Sequence, residues 1–210
     1  MIGSEIIALF ETFIDDLTEL SAADELALLI RVYLKVSGER DWEILKTAAS
    51  GSITGNYITL PADFGFMSEN AKSTSQNVED DDEKVIFVGS NYTPYKIVNY
   101  SDRRQYRDQD GYAYLDMGAG KIYFTCTTPS AGTTYEFDYI KVPADLTLAT
   151  SPVFPARFHP MFAYAMAVDD AIIQMFDKAK SYAADNQAKY DSYMEDMVYW
   201  NSRLLNLSAA

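Results

Sequence analysis

Apolar residues near the beginning of the chain recur with the spacing of an α-helix. In residues 2–20 they form one face and acidic residues occupy the other, so this segment is predicted to be an amphipathic helix. Ser21 precedes a second periodic run and is a typical N-cap, and Gly38 marks the expected end of that helix. Residues 39–46 restart the helical pattern. The first fifty residues are therefore expected to form a small set of helices.

The pattern changes between residues 51 and 154, where short runs of β-branched and aromatic residues alternate with turn-forming residues. Asp110-Gly111 and the runs at residues 118–120 and 130–132 have the composition of hairpin connections, which favours antiparallel pairing of adjacent strands. A short strand is also expected within residues 57–64. The strands predicted for this β-meander, about five in number, are residues 84–89, 95–100, 111–117, 121–128 and 133–142.

Helical spacing of apolar residues returns after residue 158 and continues almost to the end of the chain. The run is long for one globular helix, so either it breaks near residues 181–186 or it extends past its own core to meet another chain. The chain as a whole is predicted to be α+β. Residues 1–50 and 155–210 are expected to pack as one helical bundle, with residues 51–154 inserted as a β domain.

Acidic residues outnumber basic ones by 31 to 17, which gives a formal net charge of −14. The first thirty residues contain seven acids and no Lys or Arg. The short basic cluster of Arg103, Arg104 and Arg107 is interleaved with aspartates, so sequence-specific binding of DNA is not expected. A run of five acids is expected to be a solvated acidic loop, because metal ligands need spaced and fixed geometry. Its residues are Glu79, Asp80, Asp81, Asp82 and Glu83.

Cys126 is the single cysteine and His159 the single histidine. One cysteine cannot form an intrachain disulfide, and the first residues carry neither a basic leader nor an unbroken apolar run, so we expect a protein made in the cytoplasm without a membrane span. Cys126 alternates with Ile122 and Phe124 along a predicted strand, which favours a buried thiol over a nucleophile. Because prolines lie on both sides of His159, this residue is expected at or just before a helix N-cap and not in a catalytic site.

Two stretches that look like binding motifs lack residues that the motifs require. Residues 118–121 (GAGK) resemble the end of a phosphate-binding loop, but Leu115 and Ile122 stand where a glycine and a Ser or Thr are needed. Residues 108–112 (DQDGY) resemble the start of a calcium-binding loop, but Ala119 stands at its closing Glu position. Both stretches predict turns, and no cofactor or metal site is expected.

Several stretches resemble, in order and spacing, the head-to-tail adaptor proteins of tailed bacteriophages and prophages. They are residues 29–45 (LIRVYLKVSGERDWEIL), 58–64 (ITLPADF), 154–167 (FPARFHPMFAYAMA) and 190–204 (YDSYMEDMVYWNSRL). The resemblance implies a structural virion protein, not an enzyme, that forms a ring of about twelve copies beneath the portal protein. Such a ring extends the DNA channel in the neck of the virion and presents a surface to a tail or nozzle protein. It also implies that DNA passes through without specific binding.

The end of the chain carries an aromatic anchor and several leucines, which predict a partner interface. The residues concerned are Tyr199, Trp200, Leu204, Leu205 and Leu207. Two interpretations remain open. Either these side chains close the chain's own helical core, or they dock on the portal or on a neighbouring subunit.

Two other classes of function also remain open. A hydrolase acting on cell-wall polymers would need paired carboxylates, or Cys126 and His159 brought together by folding. A carbohydrate-binding module would use the β-meander and some of the sixteen tyrosines as a face on which sugars stack. The mass of the assembly, turnover of peptidoglycan and binding to glycans distinguish the three functions.

Overall fold

The computed structural model describes residues 1–14, 20–68 and 84–208, with side chains described as far as Leu204. The predicted acidic loop at residues 79–83 lies outside these ranges. The described chain is α+β, as predicted. It divides into two compact units, a helical unit formed by Met1–Ile44 and Pro143–Ala210 and a β unit formed by Leu45–Val142.

The helical unit contains six α-helices within the described residues. They are α1 (Gly3–Ile14), α2 (Ala22–Gly38), α3 (Pro160–Ala167), α4 (Asp170–Met175), α5 (Asp177–Ser181) and α6 (Ala183–Ser208). Short 3-10 helices at Glu43–Leu45 and Ala156–Phe158 precede the first strand and α3.

The first two helices follow the apolar spacing of the sequence. The described part of α1 ends at Ile14, and residues 15–19 of its predicted extension lie outside the described ranges. Ser21 is the N-cap of α2, as predicted, because its hydroxyl accepts a hydrogen bond from the Asp24 amide at 3.2 Å. The predicted end of α2 at Gly38 is confirmed.

The prediction of a helix at residues 39–46 is wrong. Only the 3-10 turn at Glu43–Leu45 forms there, and a strand begins at Lys46, before the predicted boundary at residue 51. The Trp42 side chain is fully buried, and its Nε1–H donates to the carbonyl oxygen of Val36 at 2.8 Å. Because this bond and the burial of the indole hold Trp42 against the end of α2, the chain turns back on α2 instead of starting a new helix.

The C-terminal helical region is interrupted three times. Asp169 starts α4 by accepting a hydrogen bond from the Ala171 amide at 3.2 Å, and it also pairs with Arg31 at 2.7 Å. Phe176 is extended and buried, which separates α4 from α5. The break before Ala183 confirms one of the two predicted alternatives. The first two breaks were not predicted, since a capping side chain or a buried aromatic residue can end a helix without Gly or Pro.

α3 is the central helix of the helical unit and contacts α1, α2 and α6. Its apolar residues surround most of the helix, as is typical of a helix buried on several sides. The fully buried ones are Met161, Phe162, Ala163, Met166 and Ala167.

A stack of three aromatic rings fixes the arrangement of α1 and α6 around α3. The ring of Tyr164 in α3 stacks on Phe13 of α1 at a centroid distance of 4.7 Å and on Tyr193 of α6 at 6.0 Å, with interplanar angles of 18° and 28°. α1 and α6 therefore both pack on α3 beside Tyr164.

Within residues 45–68 and 84–142 the β unit is one eight-stranded sheet. Its strands are β1 (Lys46–Ser52), β2 (Tyr57–Thr59), β3 (Phe64–Met67), β4 (Val85–Val88), β5 (Thr93–Val98), β6 (Tyr112–Asp116), β7 (Lys121–Phe124) and β8 (Thr134–Lys141). The order across the sheet is β1-β8-β4-β5-β6-β7-β2, and β3 also pairs with β8. The predicted strand segments correspond to β2 and to β4–β8.

The predicted antiparallel meander of about five strands is wrong in number and in pairing. β5 and β6 are parallel, because residues 99–111 form a connection long enough for the crossover that parallel strands require. β6 and β7 form the predicted hairpin, with Gly120 at φ +61°. β8 pairs with β1, β3 and β4 and not with β7. β1 was not predicted, since the small residues of Lys46–Ser52 lack the apolar character typical of strands.

One face of the sheet packs into the core of the β unit. Ile58, Ala113, Ile122 and Phe137 are among its buried residues. Side chains alternate between the two faces of a strand, so the neighbours of Ala113 and Ile122 face the other way. Several of these neighbours are tyrosines, which form a ladder across β6, β7 and β2.

Candidate partner interface

Most of the surface of α6 is left uncovered by the rest of the helical unit. The helix has 26 residues, which corresponds to a length of about 39 Å. Between residues 183 and 204 only Asn186, Met197 and Asn201 are buried. Tyr199 is 62% exposed. A terminal helix with an open aromatic surface has the character of a contact surface for another protein.

Asn201 attaches the C-terminal half of α6 to the turn that follows α2. Its Oδ1 accepts a hydrogen bond from the Glu43 amide at 2.8 Å, and its Nδ2 donates to the carbonyl oxygen of Asp41 at 3.0 Å. Because one partner donates and the other accepts, the side-chain amide fits in one orientation. Asn201 is only 7% exposed, so it belongs to the fold of the helical unit.

Tyr190 attaches α6 to α2 at a second point. Burial, followed by the charges of Glu39 and Asp191, raises the pKa of the Tyr190 phenol to about 12. The phenol is therefore neutral at physiological pH and donates a hydrogen bond to the Glu39 carboxylate. Together with Asn201, this contact ties α6 to the end of α2.

A groove of about 500 Å³ lies between α6 and the 3-10 turn that precedes α3. We call it the α6 groove. Its aromatic side chains include Phe158 and Trp200, whose ring centroids are 5.7 Å apart. The residues that line the α6 groove are Arg157, Phe158, Tyr193, Asp196, Tyr199, Trp200 and Arg203.

Both arginines of the α6 groove lie over aromatic rings. The Cζ atom of Arg157 is 4.6 Å from the centroid of Phe158, and that of Arg203 is 5.2 Å from the centroid of Tyr199. Contacts of this kind contribute roughly 0.5–1 kcal/mol at exposed sites. Neither guanidinium forms an ion pair with a carboxylate in the part of the chain that the structure describes. The groove can therefore bind a partner that supplies both apolar surface and carboxylates.

A family model described as SU10 adaptor protein matches residues 1–207, and so includes every residue of the α6 groove. The chain belongs to the SU10 adaptor family. The resemblance to phage head-to-tail adaptors is thereby confirmed. Membership assigns the chain a structural role as a bacteriophage adaptor and a place in the neck or tail region of the virion. Comparison with curated proteins gives no match.

The predicted interface residues of the adaptor fall into three groups. Tyr199 and Trp200 line the α6 groove, and Trp200 is half-buried because it packs on Phe158. Leu204 is half-buried as well. Leu205 and Leu207 lie beyond the side chains that the structure describes.

Sequence reasoning missed five of the residues that form the groove. Tyr193, Asp196 and Arg203 could have been found, since they recur with Trp200 at helical spacing on one side of α6. Phe158 and its neighbour Arg157 carried no such signal, because the fold alone brings the turn before α3 against α6.

His159 has the structural position that the sequence predicts. It is the N-cap residue of α3, directly before Pro160, and is 3% exposed. Its Nε2 is 2.7 Å from the carbonyl oxygen of Phe154, which can only accept, so Nε2 carries a proton and donates it. Its Nδ1 is 3.0 Å from the backbone nitrogen of Met1. Both ring nitrogens are therefore engaged within the adaptor's own helical unit.

The prediction of a buried thiol at Cys126 is wrong. β7 ends at Phe124, and Cys126 is exposed in the turn that follows. Hydrogen bonds from the Thr127 hydroxyl and amide, and then from Cys126, lower the pKa of the Asp110 carboxyl. The predicted strand stops early because these hydrogen bonds turn the chain towards Asp110.

A pair of carboxyl groups joins the adaptor's first two helices. Glu25 of α2 is 7% exposed and lies beside Glu11 of α1. Burial raises the pKa of the Glu25 carboxyl, and the charge of Glu11 and a hydrogen bond with it raise the pKa further. The pair is thus most stable when it holds one proton.

Among the described residues, no helix is long and apolar enough to cross a membrane. The same ranges contain no group of three or more His, Cys, Asp or Glu residues placed to bind a metal ion.

Proposed function

We propose that the adaptor assembles as a ring beneath the portal protein of a DNA-filled head, with about twelve copies per ring. The ring extends the DNA channel towards a tail or nozzle protein and conducts DNA during ejection. The helical unit of Met1–Ile44 and Pro143–Ala210 forms the ring, and the β unit of Leu45–Val142 is the inserted part. The observation that carries the proposal is the open α6 groove, which presents aromatic rings and two arginines outside the core of a family member.

The charge of the chain supports passage of DNA without binding. A net charge of −14, with seven acids and no base in the first thirty residues, repels phosphate. Tight binding to DNA requires clustered bases that release counterions. We therefore expect negligible affinity for duplex DNA at physiological salt. Submicromolar binding that weakens steeply with added salt would contradict this part of the proposal.

The tyrosine ladder does not favour the alternative of carbohydrate binding. Its rings are Tyr100, Tyr114, Tyr123 and Tyr57. Tyr114 and Tyr123 stack on each other at 5.5 Å, and at the two ends Arg103 lies 3.6 Å over Tyr100 and Lys121 lies 3.7 Å over Tyr57. Sugar rings stack on free aromatic faces. The neighbouring rings and cations occupy faces that a sugar would need.

The alternative of a hydrolase is likewise not favoured. A histidine that activates a nucleophile needs a free ring nitrogen, and both nitrogens of His159 have partners in the helical unit. We therefore expect no turnover of peptidoglycan by the purified adaptor. Turnover that is abolished in His159→Ala or Cys126→Ser would contradict the structural role.

Native mass spectrometry of the purified chain, alone and with its portal protein, tests the proposed function. We expect a closed oligomer of one defined copy number that binds the portal ring. A chain that stays monomeric in the presence of portal, or that fails to bind portal, would refute the proposal.

A further inference from the structure

The α6 groove and the first helix carry complementary charges. The groove presents Arg157 and Arg203 without carboxylate partners in the described residues. α1 carries Glu5, which is exposed, and Glu11, which is half-buried at the border of the same face. Glu5 pairs with the N-terminal ammonium of Met1 at 3.9 Å and accepts a hydrogen bond from the Ile2 amide at 2.9 Å, and Glu11 shares a hydrogen bond with Glu25. Within residues 1–14, 20–68 and 84–204 neither glutamate forms an ion pair with a Lys or Arg side chain.

The exposed face of α1 has a shape that permits close contact. Around the axis of α1, Ser4, Ala8 and Thr12 lie on the exposed face between the positions of Glu11 and Glu5. All three have short side chains. Short side chains let a helix approach the aromatic rings of a groove closely. Glu5 and Glu11 then stand on either side of this contact, where guanidinium groups can reach them.

The two surfaces belong to different helices of the helical unit. α1 and α6 each pack on α3, and the rings of Phe13, Tyr164 and Tyr193 take part in these contacts. Two different surfaces of one chain can join successive copies head to tail. Repetition of a head-to-tail contact closes into a ring when the rotation between copies permits it.

We infer that the α6 groove of one copy binds the exposed face of α1 of the next copy, with Arg157 and Arg203 facing Glu5 and Glu11. This inference rests on the proposed ring, for which it names the contact between subunits. The aromatic rings of the groove pack on the short side chains of α1. The arginines supply the charge-assisted hydrogen bonds that fix the register of the contact.

Charge reversal on each surface tests the inference. The groove variant Arg157→Glu/Arg203→Glu and the helix variant Glu5→Arg/Glu11→Arg should each self-associate at least about tenfold more weakly than the wild-type chain, because like charges then face each other. Native mass spectrometry and sedimentation measure the oligomer, and a thermal transition of the monomer checks the fold. The variants Glu5→Gln/Glu11→Gln provide a milder change if the reversed helix variant is unstable.

Mixing the two reversed variants gives the decisive result. In an alternating ring every groove meets a helix of opposite charge, so an equimolar mixture should recover oligomers that neither variant forms alone. A chain with all four substitutions should recover self-association for the same reason. Arg104→Glu and Asp108→Arg, both at exposed positions of the β unit, are the matched controls and should assemble as the wild type does.

The outcomes separate this inference from the proposed ring. If the reversed variants form rings as well as the wild type, the inference is wrong while the ring stands. Rings that form normally but no longer bind portal would assign the groove to the portal, which also overturns the inference. Failure of the mixture and of the fourfold variant to recover association would mean that the two surfaces do not meet. A wild-type chain that never assembles, even with portal, would refute the ring together with its contact.

Discussion

Replacement of Asn201 by Ala tests how α6 is held in the helical unit. The change removes two hydrogen bonds, one from the Glu43 amide at 2.8 Å and one to the Asp41 carbonyl oxygen at 3.0 Å. A hydrogen bond of this kind contributes about 1 kcal/mol net, so we expect a loss of about 2 kcal/mol in the free energy of unfolding. Asn201 is 7% exposed, and water will therefore replace these bonds poorly.

Urea unfolding followed by circular dichroism measures the loss. For a typical m value, about 2 kcal/mol corresponds to a shift of about 1 M in the urea midpoint. Ser202→Ala is the matched control, because the Ser202 hydroxyl bonds only to the Tyr199 carbonyl of its own helix and is exposed. That control should stay within about 0.5 kcal/mol of the wild type.

Two further measurements show whether the loss of stability arises from the hydrogen bonds of Asn201 to Glu43 and Asp41. Asn201→Asp keeps an acceptor for the Glu43 amide but places a carboxylate oxygen against the Asp41 carbonyl oxygen, so it should destabilise the unit at neutral pH. Hydrogen exchange of the Glu43 amide should accelerate in Asn201→Ala and stay unchanged in Ser202→Ala. If Asn201→Ala unfolds at the same urea concentration as Ser202→Ala, the anchoring role of Asn201 is refuted.

The remaining predictions concern His159, Glu25 and the end of the chain. His159→Ala removes the hydrogen bond to the Phe154 carbonyl oxygen and should lower the free energy of unfolding by about 1–3 kcal/mol in the same urea assay; an unchanged midpoint would contradict the structural role. The pKa of the Glu25 carboxyl is raised by burial and then by Glu11, so the folded state binds more protons than the unfolded state above pH 4.5 and stability falls as the pH rises through that window. Glu25→Gln should therefore raise the melting temperature at pH 7 and flatten its pH dependence, and a lower melting temperature at pH 7 would refute this reasoning. Deletion of residues 205–210 keeps the Asn201 anchor, so the thermal transition should persist while portal binding or ring formation is lost in native mass spectrometry; intact assembly would count against docking by the C-terminal residues.

Local patterns predicted the elements whose signals are contained in short stretches of sequence. The N-cap Ser21, the position of His159 before α3 and the hairpin between β6 and β7 follow from nearest neighbours in the chain. Strand pairing did not follow, because β1 joins β8 across more than eighty residues of sequence and contains few of the residues typical of strands. The parallel pair β5 and β6 shows that a turn-forming dipeptide such as Asp110-Gly111 can end a crossover instead of a hairpin.

The sequence predicted only those interface residues that lie on α6, and not those that the turn before α3 contributes. Tyr199 and Trp200 were identified because aromatic residues near a chain end are unusual on a self-contained domain. Asn201, three residues before Leu204, gave no signal that it fixes α6, because its partners are backbone groups of Asp41 and Glu43 far along the chain. Side chains that bond to a distant backbone leave no periodic trace in the sequence.

The aromatic side chains of the α6 groove remain accessible to a partner, although guanidinium groups lie over two of the rings. Asn201 and Tyr190 hold the helix by hydrogen bonds to the end of α2 and the turn after it. Tyr193, Met197 and Trp200 add apolar contacts on the buried side of the helix. The rings that remain are partly covered by guanidinium groups of Arg157 and Arg203. Because the chain as a whole is acidic, these two cations also attract the carboxylates of a second copy to the groove. An acidic helix of a partner therefore displaces only weak cation contacts when it binds, and gains both the rings and the arginines.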